Sequence, residues 1–375
     1  MVTIEPVGWW PAALAQACVE QPLSQRVPAD DAAFRARKGL LKLAARTARR
    51  QFLLGLSGQA PLLRARIDPA WRRALWVHEG MPQIGDAMMD LAPRSLLAKH
   101  GVRVDLFAAP HIATLFAGDP WLQRSLSRPD AIQPEDYDFV IALSHDRKSW
   151  RLKQARLPGL SWMSLHGYYD GPDFHRARFA TRRLGDLLGL TLDDDALALH
   201  SAQKLHLADN HRRWAAEQVG PRQSVALALG GVHADRTYRR WPDVAGALVE
   251  RGTAQLLLIG SDNGRTLADA VVAAVAGRIP VLDMVGRADL HQAHALFTAS
   301  SVAVCADGGL MHLALATPTP VVSLFTAAID PQWRLPMGRP GASLASVSNA
   351  VDDIAPQAIA EAVMSALGNA GPALA

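Results

Sequence analysis

Cysteine is nearly absent from this sequence, since only Cys18 and Cys305 occur among its 375 residues. Two distant cysteines exclude a disulfide framework and a cysteine-rich zinc site, and they indicate a reducing compartment. No run reaches the roughly 18 apolar residues that a membrane-spanning helix needs. The amino terminus also lacks the basic start and apolar core of a secretory signal. We therefore expect a cytoplasmic protein.

Two common ligand motifs are missing as well. Residues 80–86 are Gly-Met-Pro-Gln-Ile-Gly-Asp, which is not the Gly-x-Gly-x-x-Gly of a dinucleotide site. No cluster of carboxylates has the spacing of a metal site, so we expect neither a metal nor a cofactor. The net charge of +4 indicates anionic partners. Basic side chains and backbone amides would then have to hold any phosphate.

Apolar strands alternate with amphipathic helices along two stretches of the chain. The predicted strands are 73–78, 102–107, 139–143 and 161–165 in the first stretch, and 224–229, 254–259, 281–285, 301–305 and 320–325 in the second. This alternation is typical of parallel sheets covered on both faces. The sequence predicts an α/β fold with two Rossmann-like, doubly wound domains facing a cleft. Ligands of such domains bind at the carboxyl ends of the strands.

The predicted boundaries follow from this alternation. A mostly helical extension occupies 1–71, the first α/β domain 72–200 and the second 222–350, with a final helix and tail at 351–375. A polar segment at 191–223 is interpreted as a linker. One uninterrupted helix is predicted over 85–100, directly after the first strand.

Residues 34–52 combine an apolar stripe with a basic face at the spacing of a single helix. The stripe consists of Phe34, Leu41, Ala45, Ala48 and Phe52, and the basic face of Arg35, Lys38, Lys42, Arg46 and Arg49. Two interpretations stay open. The helix either lies on an anionic membrane surface, or packs on its own domain with a solvated basic face.

Residues 307–312 join a predicted strand to a predicted helix. Gly308 and Gly309 let the backbone approach a ligand, and the amides up to Leu310 favour a phosphate. Asp307 suits sugar or ribose hydroxyls, and His312 lies one turn later. The alternative is that Asp307 only caps the helix and that His312 is a packed core histidine.

Three further residues are candidates for chemistry. Arg239 and Arg240 precede a helix in the second domain, where they would grip a diphosphate or simply face solvent. Asp86 opens the helix after the first strand, where a carboxylate can act as a general base or merely stabilise the helix dipole. Asp90 is expected one turn later on the same face.

Four segments in a fixed order together resemble one family. They are IGDAMMDLAP (84–93), RRWP (239–242), LLLIGSDNGR (256–265) and the stretch from VGRAD to VVSLF (285–325). In this order they resemble the ADP-heptose lipopolysaccharide heptosyltransferases of glycosyltransferase family 9, over roughly 73–345. The resemblance implies a glycosyltransferase B-type fold. It assigns the acceptor mainly to the first α/β domain and the nucleotide sugar to the second.

The resemblance also assigns individual residues. Asp86 matches the family's base, and Arg239 replaces a phosphate-gripping lysine with its charge retained. Asp262 is nearest to the family's acidic residue after the second strand, which would hold the adenosine. The family segment Asp-Ser/Thr-Gly-Leu-x-His matches Asp307, Gly308, Gly309, Leu310 and His312. Gly308 replaces the hydroxyl residue, so only backbone amides remain there. The family begins near its first strand, which makes 1–71 an addition.

The resemblance implies an inverting, metal-independent transfer of a sugar, with heptose from ADP-heptose as the expected donor. The expected acceptor is a cell-envelope glycan or glycolipid such as the lipopolysaccharide core, which would place the protein at the inner face of the cytoplasmic membrane. Two alternatives stay open, a nucleotide-sugar epimerase of similar fold and a non-catalytic nucleotide-sugar binding protein. Nucleic acid is not expected, because the basic residues cluster in one helix without an aromatic platform.

Overall fold

The structure, a computed structural model, describes residues 9–369 and divides them into two units. The first unit holds the described residues up to Pro82 together with Met89–Ala202. The second holds Gln83–Met88 and the described residues from Gln203 onward. Each unit contains one parallel sheet, and helices form the amino-terminal region. The predicted α/β class with two parallel-sheet domains and a helical extension is confirmed.

The first sheet has five parallel strands in the order β3-β2-β1-β4-β5. They are β1 Arg73–His78, β2 Arg103–Ala108, β3 Arg124–Leu126, β4 Phe139–Ala142 and β5 Ser161–Ser164. All but β3 were predicted; β3 has only three residues and no buried apolar run. The helices up to Ala202 are α1 Trp9–Val19, α2 Asp31–Lys38, α3 Leu40–Leu56, α4 Ile84–Asp90, α5 Arg94–Lys99, α6 Pro110–Leu115, α7 Arg147–Arg156, α8 Arg176–Leu188 and α9 Asp194–Ser201. All belong to this unit except α4, most of which groups with the second unit.

The second sheet has six parallel strands in the order β11-β10-β9-β6-β7-β8. They are β6 Val225–Leu229, β7 Leu256–Gly260, β8 Val281–Asp283, β9 Val302–Ala306, β10 Val321–Phe325 and β11 Gly341–Ala345. The predicted strands are confirmed, and β11 is an unpredicted edge strand with alternating exposure. The helices are α10 Asp209–Val219, α11 Trp241–Glu250, α12 Arg265–Val275, α13 Leu290–Ala299, α14 Gly309–Leu315 and α15 Pro356–Asn369.

Both sheets reverse their winding direction at one point. In the first sheet the reversal lies between β1 and β4, and in the second between β6 and β9, which are neighbours. The connections leave these two strands in opposite directions, which opens a crevice beyond their carboxyl ends. The loops that follow β1, β4, β6 and β9 are therefore the natural places for ligand-binding side chains.

The RRWP segment is anchored by its tryptophan. Trp241 is fully buried at the start of α11, and its ring lies 5.0 Å from that of Tyr238. The Tyr238 hydroxyl donates a hydrogen bond to the Ile354 carbonyl at 2.9 Å. Pro242 lies in the first turn, where its missing N–H costs nothing. These contacts fix the end of the loop that joins β6 to α11.

One helix prediction in this region is wrong, and the predicted linker contains two helices that were not predicted. The helix expected over 85–100 is two helices, α4 and α5, because Pro93 has no backbone N–H to continue α4 and instead becomes the N-cap of α5. The segment 191–223, interpreted as a linker from its polar composition, contains α9 and α10. Asp193 caps α9 by accepting a hydrogen bond from the Ala196 amide at 2.7 Å.

The single helix expected over 34–52 is also two helices, α2 and α3, separated by Gly39 at a φ of 81°. The packed side of α3 carries Leu43, Ala44, Thr47 and Leu54. The predicted stripe is not that side, since Leu41 and Phe52 are 74% and 64% exposed. A hydrophobic period of 3.6 residues predicts an amphipathic helix. It does not show which of two apolar sides packs against the rest of the protein. The helices do pack on their own unit, but of the predicted stripe only Phe34 is buried, and α3 packs through other residues.

Helix α3 nevertheless belongs firmly to the first unit. Leu54 lies in the same apolar cluster as Leu75, Val140 and Trp162 of the sheet. Arg46 forms an ion pair with Asp170 at 2.7 Å, so the basic face of the helix is only partly solvated. None of the helices described between residues 9 and 369 is both long and apolar enough to cross a bilayer.

Candidate active site

An ion pair joins the two loops at the reversal point of the second sheet. Arg236 lies in the loop after β6, and Asp307 directly follows β9. The Arg236 Nη1 is 3.2 Å from the Asp307 Oδ2, and the Arg334 Nε is 3.8 Å from the Oδ1. Asp307 is only 5% exposed. The buried carboxylate thus holds an arginine beyond the strand ends, where a ligand of this fold binds.

Asp307 does not cap α14. The N-cap residue is Gly308, and no side chain accepts a hydrogen bond there, so the capping interpretation is wrong. Gly308 has an extended backbone that any residue adopts, and a Cβ on it would meet only the Ala306 carbonyl oxygen, at 3.8 Å. The amides of the first turn have no partner within the helix. Space and backbone donors therefore lie together at this position.

His312 is buried in the same unit and has a defined tautomer. Its Nδ1 is 2.8 Å from the Gln203 Oε1, so the Nδ1–H donates to that amide oxygen and the Nε2 is left as an acceptor. Burial and then the Arg334 charge lower the pKa of His312 to about 3, against the opposing effect of Asp86. The imidazole is neutral at ordinary pH.

Gly85 is the residue that lets His312 approach the segment carrying Asp86. A Cβ on Gly85 would lie 2.5 Å from the His312 Cδ2 and 2.9 Å from its Nε2, closer than real contacts permit. Asp86 follows directly, is half-buried, and acts electrostatically on His312. Because 83–88 groups with the second unit, Asp86 and His312 belong to one body.

The two arginines predicted to grip a phosphate have other partners. The Arg239 Nη1 is 2.8 Å from the Asp352 Oδ2, and its backbone amide donates to the other carboxylate oxygen. The Arg240 Nε is 3.4 Å from Asp243. Arg236, three residues earlier in the same loop, is the arginine beside Asp307. Sequence reasoning missed it because the resemblance drew attention to the position next to Trp-Pro.

Gln203 and Arg334 were also missed. Gln203 follows a helix in the segment interpreted as a linker, and Arg334 follows a short turn after β10. Gln203 contacts His312, and Arg334 contacts Asp307. In each pair the two residues are more than 20 positions apart in the sequence. No local pattern indicates such contacts.

Asp262 lies apart from this cluster, in the loop after β7. Its Oδ1 would be 2.2 Å from a Cβ on Gly286, so the carboxylate lies directly over that glycine. Gly286 has a φ of 72° and follows β8. Asp262 is exposed at the carboxyl ends of β7 and β8, and its predicted role toward adenosine stays a prediction.

Asp90 is not a second carboxylate beside Asp86. It is fully buried in the first unit, 3.2 Å from the His78 Nε2, 3.0 Å from the His166 Nε2 and 2.7 Å from the Arg176 Nε. Although burial alone would raise it, Arg176 and His166 hold the pKa of Asp90 well below its ordinary value. Asp90 therefore has a structural role, since it holds three basic side chains together inside the first unit.

Comparisons with known proteins give a family match and several similar structures. Residues 131–349 match the family model described as glycosyltransferase family 9 (heptosyltransferase). No curated protein matches the sequence significantly. Solved structures do match: a family 9 glycosyl transferase from Veillonella parvula has a TM-score of 0.66 at 15% identity, over 81% of this chain and 99% of its own.

Two Escherichia coli structures share the fold as well. ADP-heptose lps heptosyltransferase II has a TM-score of 0.58 at 19% identity, over 79% of this chain and 99% of its own. The heptosyltransferase WaaC with ADP-2-deoxy-2-fluoro heptose has a TM-score of 0.55 at 17% identity, over 78% and 99%. At these identities the similarity shows the fold alone.

The neutral His312 predicts how the stability of the protein depends on pH. Its pKa of about 3 lies below the 6.5 of a free histidine, so the unfolded chain binds the proton first. The stabilising effect of the neutral ring is complete above pH 6.5 and is lost as the pH falls toward 3. The free energy of unfolding of a His312→Gln variant should therefore fall less steeply as the pH decreases over this range. The slopes of the variant and the wild type should differ by about 1.4 kcal/mol per pH unit.

Urea unfolding of both proteins at pH 6.5, 5.5 and 4.5 measures these slopes. His206→Gln, at an exposed histidine of the same unit, is the matched control. Equal slopes for the wild type and His312→Gln would contradict a neutral His312.

Proposed function

Because this chain belongs to glycosyltransferase family 9 and is a glycosyltransferase, we propose that it transfers heptose from ADP-heptose to a cell-envelope glycan of the lipopolysaccharide-core type. The observation that carries the proposal is the grouping of Asp86, His312 and the Arg236–Asp307 pair at the reversal point of the second sheet. The printed names of the two Escherichia coli relatives support ADP-heptose as the donor.

The donor's diphosphate is assigned to the strand ends of the second unit. Arg236 and the backbone amides from Gly308 to Leu310 supply the positive charge and the hydrogen-bond donors. Asp307 orients Arg236 through their ion pair and accepts a hydrogen bond from a hydroxyl of the sugar or ribose. Asp262 remains the candidate for the ribose of the adenosine. Arg239 and Arg240 are assigned to the outer phosphate, which Arg239 reaches only after leaving Asp352.

Asp86 is proposed as the general base. Its carboxylate takes the proton of an acceptor hydroxyl, whose oxygen forms a bond to C1 of the sugar while the bond from C1 to the diphosphate oxygen breaks. Attack from the opposite face inverts the configuration at C1. Negative charge develops on the departing diphosphate, where Arg236 and the amides stabilise it without a metal. His312 is a positioning residue that holds the segment carrying Asp86 through Gly85.

An Asp86→Asn variant removes the base while keeping the shape of the side chain. We expect the transfer rate to fall by about 10²–10⁴-fold, with the affinity for the donor unchanged. Release of ADP from ADP-heptose, in the presence of core glycan from heptose-deficient cells, measures the rate. Asp269→Asn, at an exposed carboxylate of α12, is the control. Full activity of Asp86→Asn would contradict the assignment.

Arginine substitutions test the donor site directly. We expect ADP to raise the melting temperature and UDP and GDP to have little effect, because only a ligand bound to the folded state stabilises it. Loss of a charged hydrogen bond should make ADP binding about 10–100-fold weaker in Arg236→Ala, and less so in Arg239→Ala. Calorimetric titration with ADP gives both affinities. If ADP bound more weakly to Arg239→Ala than to Arg236→Ala, the diphosphate would have to be assigned to Arg239 instead.

We also propose that the exposed stripe of α3 contacts an anionic membrane surface. Leu41, Phe52 and Leu56 are 74%, 64% and 70% exposed, on the side of the helix opposite its buried residues. The exposed bases Lys42 and Arg49 lie on the same helix. Apolar residues bordered by bases are typical of helices that lie in the interface of an anionic bilayer.

Sedimentation with lipid vesicles tests the membrane contact. The protein should sediment with phosphatidylglycerol vesicles and not with phosphatidylcholine vesicles, and a Leu41→Glu/Phe52→Glu variant should remain in the supernatant. Leu199→Glu, at an exposed leucine of α9, controls for the added charge. Equal sedimentation of the double variant and the wild type would contradict the proposal.

A further inference from the structure

The helix that carries Asp86 ends in a buried ionic cluster. Asp90, the last of the seven residues of α4, is fully buried. Its Oδ1 accepts hydrogen bonds from the His166 Nε2 at 3.0 Å and the Arg176 Nε at 2.7 Å. Its Oδ2 accepts hydrogen bonds from the His78 Nε2 at 3.2 Å and the Arg176 Nη2 at 2.7 Å. A carboxylate has about four acceptor positions, and all of them are used here.

The three partners of Asp90 come from separate parts of the first unit. His78 is the last residue of β1, His166 follows β5, and Arg176 is the first residue of α8. Because β1, β4 and β5 are parallel, β1 and β5 end at the same edge of the sheet. The Asp90 cluster, which consists of Asp90, His78, His166 and Arg176, therefore ties the end of α4 to two strands and a helix.

Arg176 also contacts the loop that precedes α4. Its Nη2 lies 2.8 Å from the Sδ of Met81, a residue between β1 and α4. The hydrogen bond between His78 and Asp90 joins the end of β1 to the end of α4. The chain between these two residues is therefore a loop that is closed at its base, and it contains Asp86.

The chemistry of the cluster favours precise placement over stability. Asp90 and Arg176 form an ion pair inside the protein, and the His166 ring is neutral, because burial lowers its pKa more than the Asp90 carboxylate raises it. A buried ion pair stabilises a fold little more than apolar side chains of the same volume would, since both charges lose their hydration. Four hydrogen bonds to a carboxylate nevertheless fix its direction, which apolar contacts cannot do.

Asp86 lies one helical turn before Asp90. Residues four positions apart are about 6 Å apart along a helix and lie on the same face. In a helix of seven residues, the position of the last residue therefore fixes the side chain one turn away. At the other end of α4, the His312 ring lies against Gly85. Asp86 is thus held from both sides, by His312 before it and by the Asp90 cluster after it.

We propose that the Asp90 cluster positions the general base of the reaction. Asp90 is too deeply buried to contact substrate; it fixes α4, which presents the Asp86 carboxylate to the acceptor hydroxyl. Arg176 is the second positioning residue, because it bonds both oxygens of Asp90 and contacts the loop before α4. A general base has to lie within hydrogen-bond reach of the proton it takes, so a displaced α4 slows the chemical step. This inference rests on the proposed role of Asp86.

An Asp90→Asn variant tests the positioning role. The amide keeps the shape of the side chain, but its nitrogen cannot accept the hydrogen bonds that one carboxylate oxygen accepts. We expect kcat to fall about 10–100-fold, which is the effect of a misplacement of about 1 Å. The KM for ADP-heptose and the affinity for ADP should not change, because donor binding is assigned to other residues. Release of ADP measures kcat and KM, and an unchanged kcat would overturn the proposal.

Arg176→Lys is a milder variant, which also serves if Asp90→Asn does not fold. It keeps the positive charge, but a lysine cannot bond both oxygens of Asp90 in a fork. We expect a smaller fall in kcat, again with an unchanged KM for ADP-heptose. Full kcat in Arg176→Lys would contradict the proposal, and so would an equal loss of kcat and of donor affinity.

Asp105→Asn is the matched control for the loss of a buried carboxylate. Asp105 is 6% exposed on β2, and it accepts hydrogen bonds from the Arg124 Nε and the Tyr137 hydroxyl, both at 2.8 Å. We expect this variant to have a lower melting temperature and an unchanged kcat. A fall in kcat equal to that of Asp90→Asn would mean that any loss of stability slows the reaction, and it would overturn the proposal.

Combining Asp90→Asn with Asp86→Asn separates this inference from the proposed function. If Asp90 acts through Asp86, adding Asp90→Asn should change the rate of Asp86→Asn by less than about twofold. Rate losses that multiply would overturn the positioning role and leave Asp86 as the base. Full activity of Asp86→Asn alone would instead contradict the proposed base.

Discussion

The close contact between the His312 ring and the backbone of Gly85 holds together the residues of the candidate active site. It requires glycine at one position and a buried, neutral histidine at the other, because a Cβ or a charged ring could not occupy this space without cost. Gln203 holds the ring from its other side. Through this contact, the short segment that carries Asp86 is fixed to the same body as α14. The Asp86 carboxylate thereby lies in the same unit as α14, which follows more than 200 residues later in the sequence.

The two units manage charge in different ways. In the second unit the carboxylate of Asp307 already holds Arg236 and lies 3.8 Å from Arg334, so Arg236 is oriented before any ligand arrives. In the first unit the carboxylate of Asp90 accepts all its hydrogen bonds from groups of the same unit, so none of its acceptor positions is left for a ligand. An oriented arginine suits a diphosphate whose charge increases during the reaction, whereas a fully bonded carboxylate suits a helix that has to keep its place.

Much of the fold could be predicted from the sequence, since buried parallel strands are continuous apolar runs that turn residues interrupt. Asp86, Asp307 and His312 could be singled out because short motifs surround them. Arg236 and Gln203 could not, because their roles depend on contacts between distant segments. The helix predicted over 34–52 shows another limit. Periodicity detects an amphipathic segment, but it did not predict that Gly39 divides this segment into two helices. Nor did it predict that Leu43 is buried while Leu41 is exposed, because that depends on tertiary packing.

A crystal structure of the protein with ADP tests the central claim most directly, because it locates the diphosphate. The account predicts phosphate oxygens within about 3.2 Å of the Arg236 guanidinium and of the Gly309 amide. It also predicts that Asp307 still contacts Arg236, and that His312 still lies against Gly85. A diphosphate bound elsewhere, with Arg236 contacting only Asp307, would contradict the account.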